Sequence, residues 1–135
     1  MIFLDSNFFI SLFISKDAKH QQSKNFLVEH SKSRLLCSDN VILEVLNWLS
    51  KKVAPHKTSE IGHKLLDESI AKIVPLEKSD KEIALTIIKK FKDQQLSYVD
   101  ATSFALIQRL NLKQIFSYDS DFNLLKNIEN LALQN

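Results

Sequence analysis

Short apolar runs, none longer than a strand, alternate along this chain with longer stretches of helical periodicity, and few folds satisfy that alternation. Residues 2–4, 34–37, 72–76 and 114–118 read as strands, with 131–133 as a last edge strand. Between them lie helical stretches at about 6–14, 17–31, 38–52, 58–71, 79–92 and 97–110. With one glycine and two prolines in the whole chain, the punctuation must come from polar caps. Asp5-Ser6-Asn7 closes the first strand and caps a helix. Ser38 or Asp39, Thr58 or Ser59, and Ser97 open others, and Ser79 with Glu82 has the spacing of a capping box. Strands joined through helices cannot pair as hairpins. They predict a three-layer α/β/α sandwich around a mainly parallel sheet, built as one domain over residues 1–135. In such sheets ligands gather beyond the carboxyl ends of the strands.

Composition removes several classes of function. A net charge of +2 does not describe a broad basic surface for nucleic acid, although the many lysines could guide a phosphate backbone locally. The apolar stretch 8–14 falls far short of the roughly 20 residues that a bilayer span requires. The start MIFLDSNFF lacks the basic segment of a secretory signal. Cys37 has no partner for a disulfide and reads as a small buried hydrophobe, so a reducing cytoplasm is the expected location.

Four carboxylates stand where a charge needs a reason. Asp5 and Asp119 each follow a strand. Either could be local chemistry, Asp5 as a helix cap and Asp119-Ser120-Asp121 as a turn, or both could face a ligand. Asp100 is harder to explain locally. On a helical wheel it lies about 100° from Val99, between Ile107 at about 80° and Phe104 at about 140°, on the face that should be buried. A capping box with Ser97 accounts for the residue type but not for the apolar surroundings, where a carboxylate needs a cation or donors. Glu44 flanks the stripe of Val41, Ile42, Val45, Leu46 and Leu49, and taken alone reads as a solvated boundary residue. Together the four would form a cluster that a hard cation neutralises, pointing to metal-assisted chemistry on a phosphodiester.

Other sites are absent from the pattern. His20, His30, His56 and His63 have no helical zinc spacing. No Gly-rich phosphate loop occurs, and no serine sits on a nucleophile elbow.

With those motifs in view, the chain resembles PIN-domain proteins, and especially the VapC-type toxins of bacterial toxin–antitoxin pairs. IFLDSNFFI, VILEV, LSYVDATSFAL and FSYDSDF occur in the family's order across essentially the whole length. The resemblance implies a parallel sheet between helices and cleavage of RNA dependent on Mg²⁺ or Mn²⁺, leaving a 5′-phosphate and a 3′-hydroxyl. Asp5, Glu44, Asp100 and Asp119 correspond to the family's acidic metal site. In that scheme Asp5 and Asp100 are the principal ligands, Glu44 orients water, and Asp119 takes a second or weaker ion. Asp121 assists, and Asn7 and Ser117 match polar positions that support the site. The partners implied are an RNA substrate and an antitoxin whose tail packs against the helices. The apolar run of Phe8, Phe9, Leu12 and Phe13, with Trp48, is either ordinary core or a surface for that tail or for a homodimer.

Three other functions compete. A non-catalytic RNA- or protein-binding module would share the fold without turnover. A phosphatase of the haloacid dehalogenase type needs an Asp two residues after the first, where this chain has Asn7. A receiver domain needs an acidic pair after its first strand, and that is missing.

Overall fold

The computed structural model describes residues 1–133. The strands are β1 (Ile2–Leu4), β2 (Leu35–Ser38), β3 (Lys72–Val74), β4 (Gln114–Phe116) and β5 (Glu129–Asn130). They form one sheet in the order β3-β2-β1-β4-β5 with every pairing parallel. β1 is the central strand. Its three residues are all buried, as an unbroken apolar run covered on both faces should be. It pairs Ile2 and Phe3 with Leu35 and Leu36 on one side, and Ile2, Phe3 and Leu4 with Gln114, Ile115 and Phe116 on the other. The chain therefore leaves β1 toward one edge and returns to its opposite side, creating a topological switch point between β1 and β4.

The helices are α1 (Ser6–Phe13), α2 (His20–Glu29), α3 (Asp39–Lys52), α4 (Pro55–Leu66), α5 (Lys78–Lys90) and α6 (Tyr98–Arg109). Several boundaries differ from the sequence reading for identifiable reasons. α2 starts at His20 because Asp17 is spent in a turn, accepting from the Lys19 amide at 2.8 Å. α4 starts at Pro55, whose fixed φ suits the first helical turn, rather than at Thr58. It stops at Leu66 with Glu68 in the left-handed region. The capping interaction of α5 joins Glu77 and Asp80, the Asp80 carboxylate accepting from the Glu77 amide at 2.9 Å, rather than Ser79 and Glu82. Residues 131–133 form a 3₁₀ turn, and the edge strand lies just before them at Glu129–Asn130. The single glycine, Gly62, punctuates nothing. It sits inside α4, where a Cβ would meet Leu46 of α3 at 3.3 Å.

Phenylalanines fill the core. Phe8 meets Phe9, Phe26 and Phe116 edge to face with ring centroids 5.3, 5.6 and 5.3 Å apart. Phe8 and Phe9 are fully buried, so they belong to the core and not to a docking surface. Leu12, Phe13 and Trp48 are half-buried against it. On the other side of the sheet Phe122 packs against Phe3 and Phe104, with centroids 6.5 and 5.2 Å away. Among the described residues no helix is long and apolar enough to cross a membrane.

α5 and α6 are joined by an ion pair whose carboxylate is buried and whose guanidinium is partly exposed. Arg109 donates through Nε and Nη2 to the two oxygens of Asp80 at 2.8 and 2.9 Å. Burial opposes ionisation of Asp80, yet the guanidinium fork and the Glu77 amide hold its carboxyl below the usual range. Arg109→Leu would leave that carboxylate buried without its cation. The expected cost is about 3–5 kcal/mol, read from urea unfolding at neutral pH. A loss below about 1 kcal/mol would reduce the pair to the worth of a surface bridge.

Candidate metal centre

The parallel register of β1 with β4 builds the site. Leu4 is opposite Phe116, and the Asp5 amide donates to the Phe116 carbonyl at 3.2 Å. One residue further on, Asp5 and Ser117 meet, and the Ser117 hydroxyl donates to Asp5 Oδ2 at 2.7 Å. Asp5 Oδ1 caps α1 by accepting from the Ser6 amide at 2.8 Å. The capping role and a place in the cluster are thus not alternatives; one carboxylate does both.

Asp100 occupies the first turn of α6 and is buried, its amide donating to the Ser97 hydroxyl at 3.0 Å. Asp119 and Asp121 belong to the turn after β4. The Asp119 amide donates to Ser117 Oγ at 3.0 Å, and Asp119 Oδ1 accepts from the Asp121 amide at 2.9 Å. Oxygens from Asp100, Asp119 and Asp121 lie within 4.8 Å of one another. Glu44 reaches in from α3 and accepts a hydrogen bond from the Ser6 hydroxyl.

Two of the carboxyls, Asp100 and Asp5, are raised. Burial first, then the charges of Asp5, Asp119 and Glu44, push the Asp100 carboxyl up to about 7 against the Ser97 hydrogen bond. Burial likewise raises Asp5 to about 6, opposed by Ser117 and the Ser6 amide and assisted by Glu44 and Asp119. None of the ion pairs formed among the described residues involves any of these five acids. A crowded, all-oxygen donor set without a basic side chain fits a hard divalent cation, as a mixed nitrogen and sulfur set would not. His20 and His30 are occupied elsewhere, bonded to the carbonyls of Ser11 and Phe26.

The four acids singled out from sequence therefore converge, with one change of emphasis. Asp100 comes together with Asp119 and Asp121 in one group, whereas Asp5, whose charge Asp100 feels, is hydrogen-bonded by Ser6 and Ser117. Asn7 supports the arrangement from behind, its Oδ1 accepting from the Tyr118 amide at 3.1 Å. Two contributors escaped the sequence reading. Ser6, which orients Glu44, had the signal of lying beside Asp5. Asn130 brackets Ser117, accepting from its amide at 3.2 Å and donating to its carbonyl at 2.9 Å. Nothing local to Asn130 announces that role.

The profile of the PIN domain matches residues 2–127. The chain belongs to the PIN-domain family. Its sequence is 24% identical over 123 residues to the 23S rRNA-specific endonuclease VapC20 of Mycobacterium tuberculosis, covering 91% of this chain and 92% of that one. The crystal structure of VapC20 superposes with a TM-score of 0.85 at 22% identity, over 96% of this chain and 98% of that one. A toxin–antitoxin complex from Klebsiella pneumoniae aligns with a TM-score of 0.68 at 19% identity, covering 95% of each chain. VapBC2 of Rickettsia felis, bound to a promoter DNA fragment, gives 0.74 at 15%, over 96% of this chain and 97% of that one. At these identities the structural likenesses establish the PIN fold.

The raised carboxyls make this PIN domain's stability depend on pH in a definite direction. Both acids hold a proton more tightly folded than unfolded. Their stabilising contribution is complete below the usual value of 3.8 and is lost as pH rises through about 6 to 7. In EDTA the melting midpoint is expected to fall between pH 5 and 8, and Asp100→Asn to remove most of that fall. An unchanged fall in the variant would mean that Asp100 is not the strained acid. At pH 8, Mn²⁺ should raise the wild-type midpoint and leave that of Asp100→Asn nearly unmoved.

Proposed function

We propose that this protein is a metal-dependent endoribonuclease and the toxin of a toxin–antitoxin pair. The observation that carries the reading is the group of crowded carboxylates beyond β1 and β4, in a chain of the PIN family. The likeness to an rRNA endonuclease across nine-tenths of both sequences supports RNA as the substrate. Toxin–antitoxin complexes among the similar structures support an antitoxin as partner. A second copy of the chain is a further candidate partner.

In this reading Asp100, Asp119 and Asp121 hold a divalent ion, Mg²⁺ or Mn²⁺, with Asp5 as a ligand through whatever lone pairs Ser6 and Ser117 leave free. A bound ion supplies Lewis-acid stabilisation of the charge that develops on the scissile phosphate, and acidifies water. The chain's own part is preorganisation. Ser117 fixes the Asp5 carboxylate and the Asp119 backbone, and the Asp121 amide holds the Asp119 carboxylate, so neither must reorient when substrate arrives. Glu44, held by Ser6, accepts a hydrogen bond from the attacking water and orients it toward phosphorus. Ser117→Ala is a useful probe because it changes no charge. Loss of this supporting contact should cost about 10–100-fold in metal affinity or activity.

The deciding experiment incubates purified protein with total RNA in Mn²⁺ or Mg²⁺ and in EDTA, beside Asp100→Asn. Discrete metal-dependent fragments are expected from the wild type. The variant should lose more than about 100-fold of that activity while remaining folded, a larger loss than a supporting residue would produce. Retained cleavage by Asp100→Asn would remove the site assignment. A non-catalytic module predicts no metal-dependent fragments and growth inhibition that survives the substitution.

A further inference from the structure

A second feature lies at the opposite end of α6 from Asp100. There a cavity of about 560 Å³ opens between the C-termini of α5 and α6 and the segment that leads into β5. Lys90, Lys113 and Lys126 line it, with the amides of Gln108 and Asn127 and the half-buried ring of Phe91. The Lys90 ammonium stands 5.2 Å from the centre of that ring. Among the described residues, none of the three lysines takes part in an ion pair and no carboxylate lines the cavity. Three cations without an ion pair among the described residues, around an apolar floor, select an anion with a flat, weakly polar part.

The acidic centre cannot attract a polyanion by its own charge, so a nucleic-acid substrate needs cations elsewhere on the molecule. Asp100 and Gln108 are eight residues apart on one helix. That spacing is a rise of about 12 Å, or about three to four nucleotides of a stacked strand. We propose that this cavity docks a nucleotide of the RNA flanking the cleavage position. The lysines meet its phosphates, Phe91 stacks on the base, and Gln108 and Asn127 hydrogen-bond the base edge. The inference rests on the ribonuclease reading for the identity of the polyanion, but its test is independent of turnover.

Binding of a fluorescein-labelled single-stranded oligoribonucleotide would be followed by fluorescence anisotropy in EDTA. The combined variant Lys90→Ala, Lys113→Ala, Lys126→Ala is expected to weaken binding at least about tenfold, and to reduce the slope of log K against log salt by about 2. A control changing three exposed lysines elsewhere, Lys32→Ala, Lys51→Ala, Lys57→Ala, should bind as the wild type does. Phe91→Leu should weaken binding without altering the salt slope. Equal losses in both lysine variants, or none in the cavity variant, would overturn the inference. Competition by polyglutamate as effective as that by unlabelled RNA would overturn the choice of a nucleotide over an acidic peptide. Cavity-dependent binding without Mn²⁺-dependent cleavage would remove the ribonuclease reading and leave the docking site. Cleavage with cavity-independent binding would do the reverse.

Discussion

The pairing of Leu4 with Phe116 is the constraint on which the rest of this structure turns. Parallel strands in register end together, so the residues that follow them must occupy the same small volume. Those residues are Asp5 and Ser117, and their side chains bond at 2.7 Å. A slip of one residue would turn each side chain of β4 to the other face of the sheet. The hydroxyl that now steadies both Asp5 and Asp119 would then point away from them. Backbone pairing in the sheet thus determines the geometry of a carboxylate cluster.

Two further interactions hold the remaining acids at that volume. Phe122 is buried between Phe3 and Phe104 just after Asp121, which ties the acidic turn to the core by an aromatic anchor. The Asp80–Arg109 fork fastens the far end of α6 to α5, and α6 carries Asp100 in its first turn. Burial, assisted by charge repulsion, raises two of the carboxyls. The folded chain therefore stores unfavourable electrostatics at one place, which a divalent cation would relieve.

Much of the architecture was legible in the order of short apolar runs and periodic stretches. Misreadings clustered where two local signals competed. Ser79 with Glu82 has the spacing of a capping box, but Asp80 is drawn inward by Arg109, 29 residues away, and so caps from Glu77 instead. Leu131 and Leu133 look like an edge strand, yet the pairing that forms β5 uses the polar Glu129 and Asn130. Backbone hydrogen bonds make that edge, and hydrophobicity does not report them. Phe8 and Phe9 illustrate the opposite ambiguity, since an apolar helix face looks the same in sequence whether it meets a core or a partner.

By itself the sequence determined which residues were anomalous. A carboxylate inside an apolar helix face, as at Asp100, is costly wherever the chain folds, and that cost is a property of the residue and its neighbours along one helix. It also determined the parallel sheet, because strands separated by helices cannot form hairpins. The tertiary structure alone decided that Asp121 comes within reach of Asp100 and Asp119, that Asp5 bonds to Ser117, and that Ser6 and Asn130 brace the site. Those hydrogen-bonded relations connect residues from 13 to 112 positions apart. They depend on strand register and on the way helices seat on the sheet, and neither leaves a trace in local spacing.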